Sequence, residues 1–213
     1  MNINTLDLKT ALVKTLHVCI GLLVTGIGTA FMYDLGWGSA PAATISDGVH
    51  MAFGLSYGVA GIACNFFFLA ILVITDRKLI SVGTILATFF LGFFIDVGVF
   101  LISPLQIIDM NAPMRILMLL IGCILTAIGL GYYVGINFGM GAIDGLSVML
   151  NKKTKLSFKT CRWIVDIFLM IFGVAMGAAW GIGTIVSIVL TGPIMQVVIS
   201  LVEKKAQMCY TKK

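Results

Sequence analysis

Charge is what this chain has least of. Only 11% of its 213 residues are Asp, Glu, Lys or Arg, 60% are hydrophobic, and the mean hydropathy is +1.09. One folded domain could not hide that much apolar surface from water, whereas lipid solvates it, so a water-soluble fold is excluded. The two histidines, His17 and His50, are far apart and the carboxylates are few. There is neither a His-Glu-x-x-His pair nor a phosphate-binding Gly-x-x-x-x-Gly-Lys-Ser/Thr loop. The chain is therefore read as non-enzymatic, with no cofactor. Cys19, Cys64, Cys123, Cys161 and Cys209 form no Cys-x-x-Cys pair and read as apolar thiols, with no disulfide and no metal site. The net charge of +5 comes without a basic face interleaved with aromatics, so nucleic acid is not an expected partner.

What the chain has instead is long apolar runs. Six of them approach the roughly 20 residues needed to cross a ~30 Å hydrocarbon core: Leu16–Tyr33, Tyr57–Thr75, Leu79–Ile102, Met114–Val134, Trp163–Trp180 and Ile182–Val202. Lys9 and Lys14 before the first run, with Ser39-Ala40 after it, imitate a signal peptide. Pro41 argues against cleavage there, so the run reads as a retained first span. If residues 1–15 and 203–213 are cytoplasmic tails, 13 of the 14 basic residues fall on the inner side and only Arg115 is left outside. Six spans with both termini cytoplasmic thus satisfy the positive-inside rule, and an odd number would not. Trp37, Trp163 and Trp180, near span ends, read as interfacial anchors.

Two segments, 34–56 and 135–160, are too long for turns and too polar or short to cross. The first holds Leu35-Gly36-Trp37-Gly38-Ser39-Ala40-Pro41, and the second Phe138-Gly139-Met140-Gly141-Ala142-Ile143-Asp144. Ser39 is expected as N-cap with Pro41 in the first turn of a helix to about Phe53. A second short helix is expected from Ala142 to about Leu150, stopped by Asn151-Lys152-Lys153. Each is re-entrant or interfacial, and re-entry is tolerated only where irregular backbone faces protein or a wet cavity. The order of features repeats. Gly36-Trp37-Gly38 matches Gly139-Met140-Gly141, Gly54-Leu55-Ser56-Tyr57 loosely matches Lys155-Leu156-Ser157-Phe158, Asn65 falls opposite Asp166, Gly83-Thr84 opposite Gly183-Thr184, and Gly92 opposite Gly192. Three spans per half make the repeats inverted, the plan of many secondary transporters with a site between the halves.

The fold class expected is thus an all-α polytopic membrane protein. It is a single membrane domain over 1–213, with six transmembrane helices as two inverted three-helix repeats (about 16–102 and 114–202), each with a short re-entrant or interfacial segment. The Leu35-Gly36…Pro41 element, the Gly54-Leu55-Ser56-Tyr57-Gly58 stretch and the Gly83-Thr84…Gly92 span, echoed by Gly183-Thr184…Gly192, resemble the YczE/YyaS/YitT-type bacterial integral membrane proteins. The resemblance implies a multi-pass bacterial membrane protein of poorly defined role. It also implies an acidic residue just after the first proline, where Ala42 and Ala43 stand here; Asp144 keeps one near the second break.

Polar residues inside apolar spans are costly and so are candidate sites. Asp166 and Asn65 are expected to face the interface between halves, unless Asp166 simply pairs with Arg162 one turn earlier. Asp96 and Gln196 take symmetric places in the third and sixth spans, serving either function or interhelical bonding. Asp144 joins the site or complements a helix dipole. Asp47 and His50 line an entrance or face water, and His17 is an interfacial histidine. The broken elements are Gly36, Gly38 and Pro41, and Gly139 and Gly141.

The leading expectation is a small-solute or ion permease in the cell membrane, in contact with the lipid bilayer. One alternative is the substrate-binding membrane subunit of an ATP-driven transporter with partner subunits. The other is a non-transporting regulator or scaffold that docks through Lys152–Lys159. A homo-oligomer fits any of these.

Overall fold

The computed structural model describes residues 8–77, 80–154, 156 and 158–210. Lys78, Leu79, Lys155, Ser157, Lys212 and Lys213, used above for spans, repeats and orientation, lie outside the described residues, as do residues 1–7 of the expected lead-in.

Among the described residues eight α-helices carry the fold. They are α1 (Leu8–Leu35), α2 (Pro41–Phe53), α3 (Tyr57–Thr75), α4 (Val82–Ile102), α5 (Ala112–Gly135), α6 (Ala142–Lys153), α7 (Phe158–Ala175) and α8 (Ile182–Tyr210). Two short 3-10 turns, Ser103–Leu105 and Ile107–Asp109, join α4 to α5. Among the described residues five helices, α1, α3, α4, α5 and α8, are long and apolar enough to cross a membrane. The fifth apolar run differs from the others. As α7 it is 18 residues long and carries Lys159, Arg162 and Asp166.

Several expected boundaries move. The segment 8–15 is continuous with α1 rather than a separate lead-in, and α6 runs on through Asn151 to Lys153. α7 ends at Ala175, well before Trp180, because the chain turns through Gly177 at φ 99° and the Ala178 amide closes the turn on the Gly173 carbonyl, 3.0 Å away. Ser39 does not cap α2. Ala40 takes the N-cap position, its carbonyl accepting from the Ala43 and Thr44 amides at 2.8 Å each, while the Ser39 hydroxyl sits 3.3 Å from that of Thr44.

Polarity is turned inward relative to a soluble protein. Ile74 and Phe100 are 84% and 77% exposed, while Thr25, Thr29, Thr84, Thr88, Thr126 and Thr184 are buried. Three of these hydroxyls are satisfied within their own helix. Thr25 donates to Gly21 O, Thr29 to Thr25 O and Thr88 to Thr84 O, at 2.8–2.9 Å. Cys64, Cys123 and Cys161 are buried.

Helices α1 and α5 cross at the centre on small residues. A Cβ added to Gly28 would lie 2.5 Å from the Thr126 amide nitrogen, and one added to Gly129 would lie 2.5 Å from that of Thr25. The crossing therefore reads the same from either helix, and backbone contacts backbone. Around it α1 packs on α4 and α5 on α8, while α2 packs on α3 and α7 and α6 packs on α7 and α3.

The two breaks dock reciprocally. The Gly183 amide at the start of α8 donates to Trp37 O at 2.9 Å, and the Gly83 amide at the start of α4 donates to Phe138 O at 3.2 Å. Gly38 (φ 92°) and Gly139 (φ 148°) sit in those contacts, where a Cβ would press on Thr184 and Ser81 respectively. Gly38 and Gly139, rather than Gly36 and Gly141, are thus the glycines that occupy the two docking contacts.

Replacing Gly28 by Ala should therefore drive a methyl into backbone and destabilise the protein by about 1–3 kcal/mol. Gly192→Ala on α8, where nothing lies within 4 Å, should not lower the unfolding midpoint. Thermal unfolding of the two variants in detergent checks the pair.

Candidate functional site

Helices α2 and α6 begin at the same place. A cavity of about 80 Å³ is lined by Ala40, Ala42 and Ala43 from the first break and by Gly141, Ile143 and Asp144 from the second. Thr25 and Thr29 of α1, Thr126 and Tyr133 of α5, Ser46 of α2, Gly61 and Asn65 of α3 and Arg162 of α7 supply its polar and small surfaces. Ala87, Leu91 and Ile95 of α4 and Leu130 of α5 supply an apolar wall.

Polar contacts run along one side as a chain. The Gly141 amide donates to the Tyr133 hydroxyl (2.9 Å), which donates to Asp144 Oδ2 (2.9 Å). Asp144 Oδ1 accepts from an Nη of Arg162, and Arg162 Nε donates to Asp166 Oδ2 at 3.1 Å. Asp144 is the third residue of α6, where the unpaired amides of the first turn favour a carboxylate. Asp166 Oδ1 and Thr126 Oγ1 are buried without a hydrogen-bond partner.

The residues expected at a site separate into two groups. Asn65 and Asp144 line the cavity, Asn65 with its amide nitrogen 3.0 Å from Gly61 O. Asp166 stands behind Arg162 and reaches the cavity through it. Pro41 is the first residue of α2 and Gly141 the N-cap of α6. Gly36, at φ 68°, turns the chain just after α1. Asp96 is elsewhere: it accepts from Ser56 Oγ and the Gly58 amide, both at 2.7 Å, and so ties α4 to the start of α3. Gln196 is exposed on α8, away from the cavity. The Gly54–Gly58 run has the Gly-x-Ser-x-Gly spacing of a hydrolase elbow, but the Ser56 hydroxyl accepts from the Val59 amide as the cap of α3 while donating to Asp96.

A second cavity, about 180 Å³, is lined by Asp47, Tyr33, Tyr57 and Ser39. Asp47 Oδ2 accepts from the Ala179 amide at 2.9 Å. His50 does not line it, its Nδ1 contacting Leu55 O and its ring stacking 3.9 Å from Tyr57. Tyr33 lines this second cavity, and its hydroxyl donates to the carbonyl of Ala43, which lines the first, at 2.9 Å. His17 Nδ1 lies 2.7 Å from Val13 O, and Arg115 sits 4.4 Å over the Trp37 ring. Lys152, in the expected docking patch, pairs with Asp76 at 3.3 Å.

Arg162, Tyr133 and Thr126 were not among the expected site residues. For Arg162 the signal was present: an arginine within an apolar run, one turn from Asp166. Nothing in the sequence separates Tyr133 or Thr126 from the other tyrosines and threonines.

Residues 12–200 match a family of unknown function, DUF6198. A Haemophilus influenzae "Uncharacterized protein" is 25% identical over 210 residues, covering 97% of this chain and 93% of its own length. Two Bacillus subtilis proteins are also 25% identical: "Uncharacterized protein YyaS" over 90% of this chain and 94% of its own, and "Uncharacterized membrane protein YczE" over 83% and 80%. No solved structure matches.

Removing the guanidinium would leave two carboxylates facing each other in an apolar surround. Arg162→Met should cost up to about 3 kcal/mol, the low end for breaking a buried pair, since Arg162 keeps 26% side-chain exposure. Adding Asp144→Asn to that variant should recover part of the loss, measured as unfolding midpoints around the double-mutant cycle.

Proposed function

We infer transport from a premise that is itself plain: the chain belongs to the family of unknown function DUF6198 and is a helical membrane protein. The proposal is a non-enzymatic permease for a small solute or ion, set in the bacterial plasma membrane with both termini cytoplasmic. Its six spans would be α1, α3, α4, α5, α7 and α8, in two inverted three-helix repeats with α2 and α6 as re-entrant elements.

One observation carries the reading: two short helices, one from each half, start at a single cavity between the halves. Interrupted helices whose ends meet at a shared cavity are how many secondary transporters build a substrate site. The matched docking of the breaks, Trp37 O on Gly183 and Phe138 O on Gly83, supports the repeat. So does the α1–α5 crossing, which reads alike from both helices. Re-entry is supported by where the broken backbone lies, against protein and cavity. The charges of α7 fit a span whose Arg162 and Asp166 face the interior and neutralise one another.

Two measurements test this. Reporter cysteines at the two termini, in a variant without the native thiols, should label from the same side; labelling from opposite sides would end the six-span reading. Protein reconstituted alone in liposomes should take up at least one small solute or ion from a broad panel. Uptake only after adding a co-purifying ATPase and second membrane subunit would replace the permease by the substrate-binding subunit.

A further inference from the structure

We propose that the Asp47 cavity binds a small primary ammonium ion, with Asp47 as its counter-ion. The site lies outside the central cavity, so the proposal goes beyond the permease reading and does not depend on it.

The argument starts from a carboxylate that has no cation. Asp47 is 6% exposed, and among the described residues it forms no ion pair. Its Oδ2 accepts from the Ala179 amide at 2.9 Å. Its Oδ1 accepts nothing and, unlike the unpaired Oδ1 of Asp166, keeps open surface. Asp47 lines the cavity of about 180 Å³, so that surface is turned into it. An ionised carboxylate taken out of water without a partner is costly, and a cation from solution offsets that cost.

Nothing on the wall supplies the positive charge. Among the described residues no lysine, arginine or histidine lines the cavity. His50, one turn further along α2, has its Nδ1 against Leu55 O and its ring on Tyr57. Arg115 lies over the Trp37 ring, and Asp34 is engaged with the Ile107 amide.

The rest of the lining selects the kind of cation. A bound metal ion takes several hard oxygens, and among the described residues no three His, Cys, Asp or Glu side chains stand together. Tyr57 stacks on both Tyr33 and His50, with ring centroids 4.4 and 3.9 Å away, and its hydroxyl makes no hydrogen bond among the described residues. Met32 and Met51 add thioether surface. A primary ammonium donates to Asp47 Oδ1, with the Tyr57 hydroxyl on the same wall as a second acceptor. Its short carbon chain then lies against the aromatic and methionine surface. A quaternary ammonium has no N–H for these oxygens.

The test is thermal unfolding of the purified full chain in detergent at one neutral pH. Methylammonium and ethylammonium chloride are compared with tetramethylammonium, sodium and potassium chloride at matched ionic strength. The expected result is a saturable rise in the midpoint with the primary amines. Asp47→Asn, which keeps an oxygen for the Ala179 amide, should weaken the apparent affinity about tenfold or more, as for a lost hydrogen bond to a charged group. It should not lower the midpoint without ligand, because it removes the unpaired charge. Met51 lines the cavity and is 60% exposed, so Met51→Lys brings in a tethered ammonium and should abolish the response. No rise with either amine, an equal rise with tetramethylammonium, sodium or potassium, or a response that survives either substitution would overturn the proposal.

Liposome uptake separates this proposal from the permease reading. Amine binding by a chain that takes up no solute leaves the site standing and removes the permease. Uptake of another solute, with no amine response, removes the site and leaves the permease.

Discussion

A helix interrupted in an apolar surround exposes amides and carbonyls that lipid cannot satisfy, and the structure is arranged around meeting that demand. Each break is met by the start of a long helix from the other half: Trp37 O by the Gly183 amide, Phe138 O by the Gly83 amide. These bonds require backbone to approach backbone, which is why Gly38 and Gly139 occupy the contacts with φ values that side chains disfavour. The same demand accounts for buried Thr25, Thr29 and Thr88, whose hydroxyls return to carbonyls one turn back within α1 and α4. Neither half completes its own breaks. The fold is held together by what each half lends the other.

Within that shared frame the charges are not shared. Asp144, Arg162 and Asp166 all belong to the second half of the chain, and the first half lines the same cavity with Ala43, Gly61 and Asn65. On the ion-paired wall Asp144 is met by Tyr133, Arg162 and the α6 first turn, while Asp166 has Arg162 on one oxygen only. The opposite wall ends in helix α2 without an acid. One scaffold thus presents a filled helix terminus and an unfilled one to the same space.

Much of the fold was legible because its signals are local and repeated. Apolar run length gave α3 to the residue, and Pro41 marked the first residue of α2. The places of α6 and α8 followed from glycine breaks and runs. Less legible was anything that depends on which of two similar residues makes a contact. The breaks each carry two glycines, and nothing local says that Gly38 and Gly139 are the ones that take the docking contacts. Ser39 has the chemistry of an N-cap, yet the turn is set by Ala40, and no local pattern distinguishes them. Asn65, Asp96 and Gln196 stand out as polar residues in apolar runs and Asp144 as an acid beside the second break, and of these Asn65 and Asp144 line the cavity. Asp96 spends its carboxylate on the start of α3 and Gln196 faces outward. Polarity within a span marks a residue that needs a partner; it does not say whether the partner is another helix or a ligand.

Two tyrosines beside the cavities are held differently. Tyr33, which lines the Asp47 cavity, has one hydrogen bond to Ala43 O and a ring stack 4.4 Å from Tyr57. Tyr133, which lines the central cavity, is held by the Gly141 amide and by Asp144, which Arg162 pins in turn. Releasing Tyr33 breaks one neutral hydrogen bond, whereas releasing Tyr133 disturbs two hydrogen bonds beside a charged pair in an apolar surround, and truncating such a pair is far more costly than losing a neutral contact. Because the Tyr33 hydroxyl bonds a carbonyl in the first turn of α2, a shift of that tyrosine and a shift of the α2 terminus are coupled through that one bond.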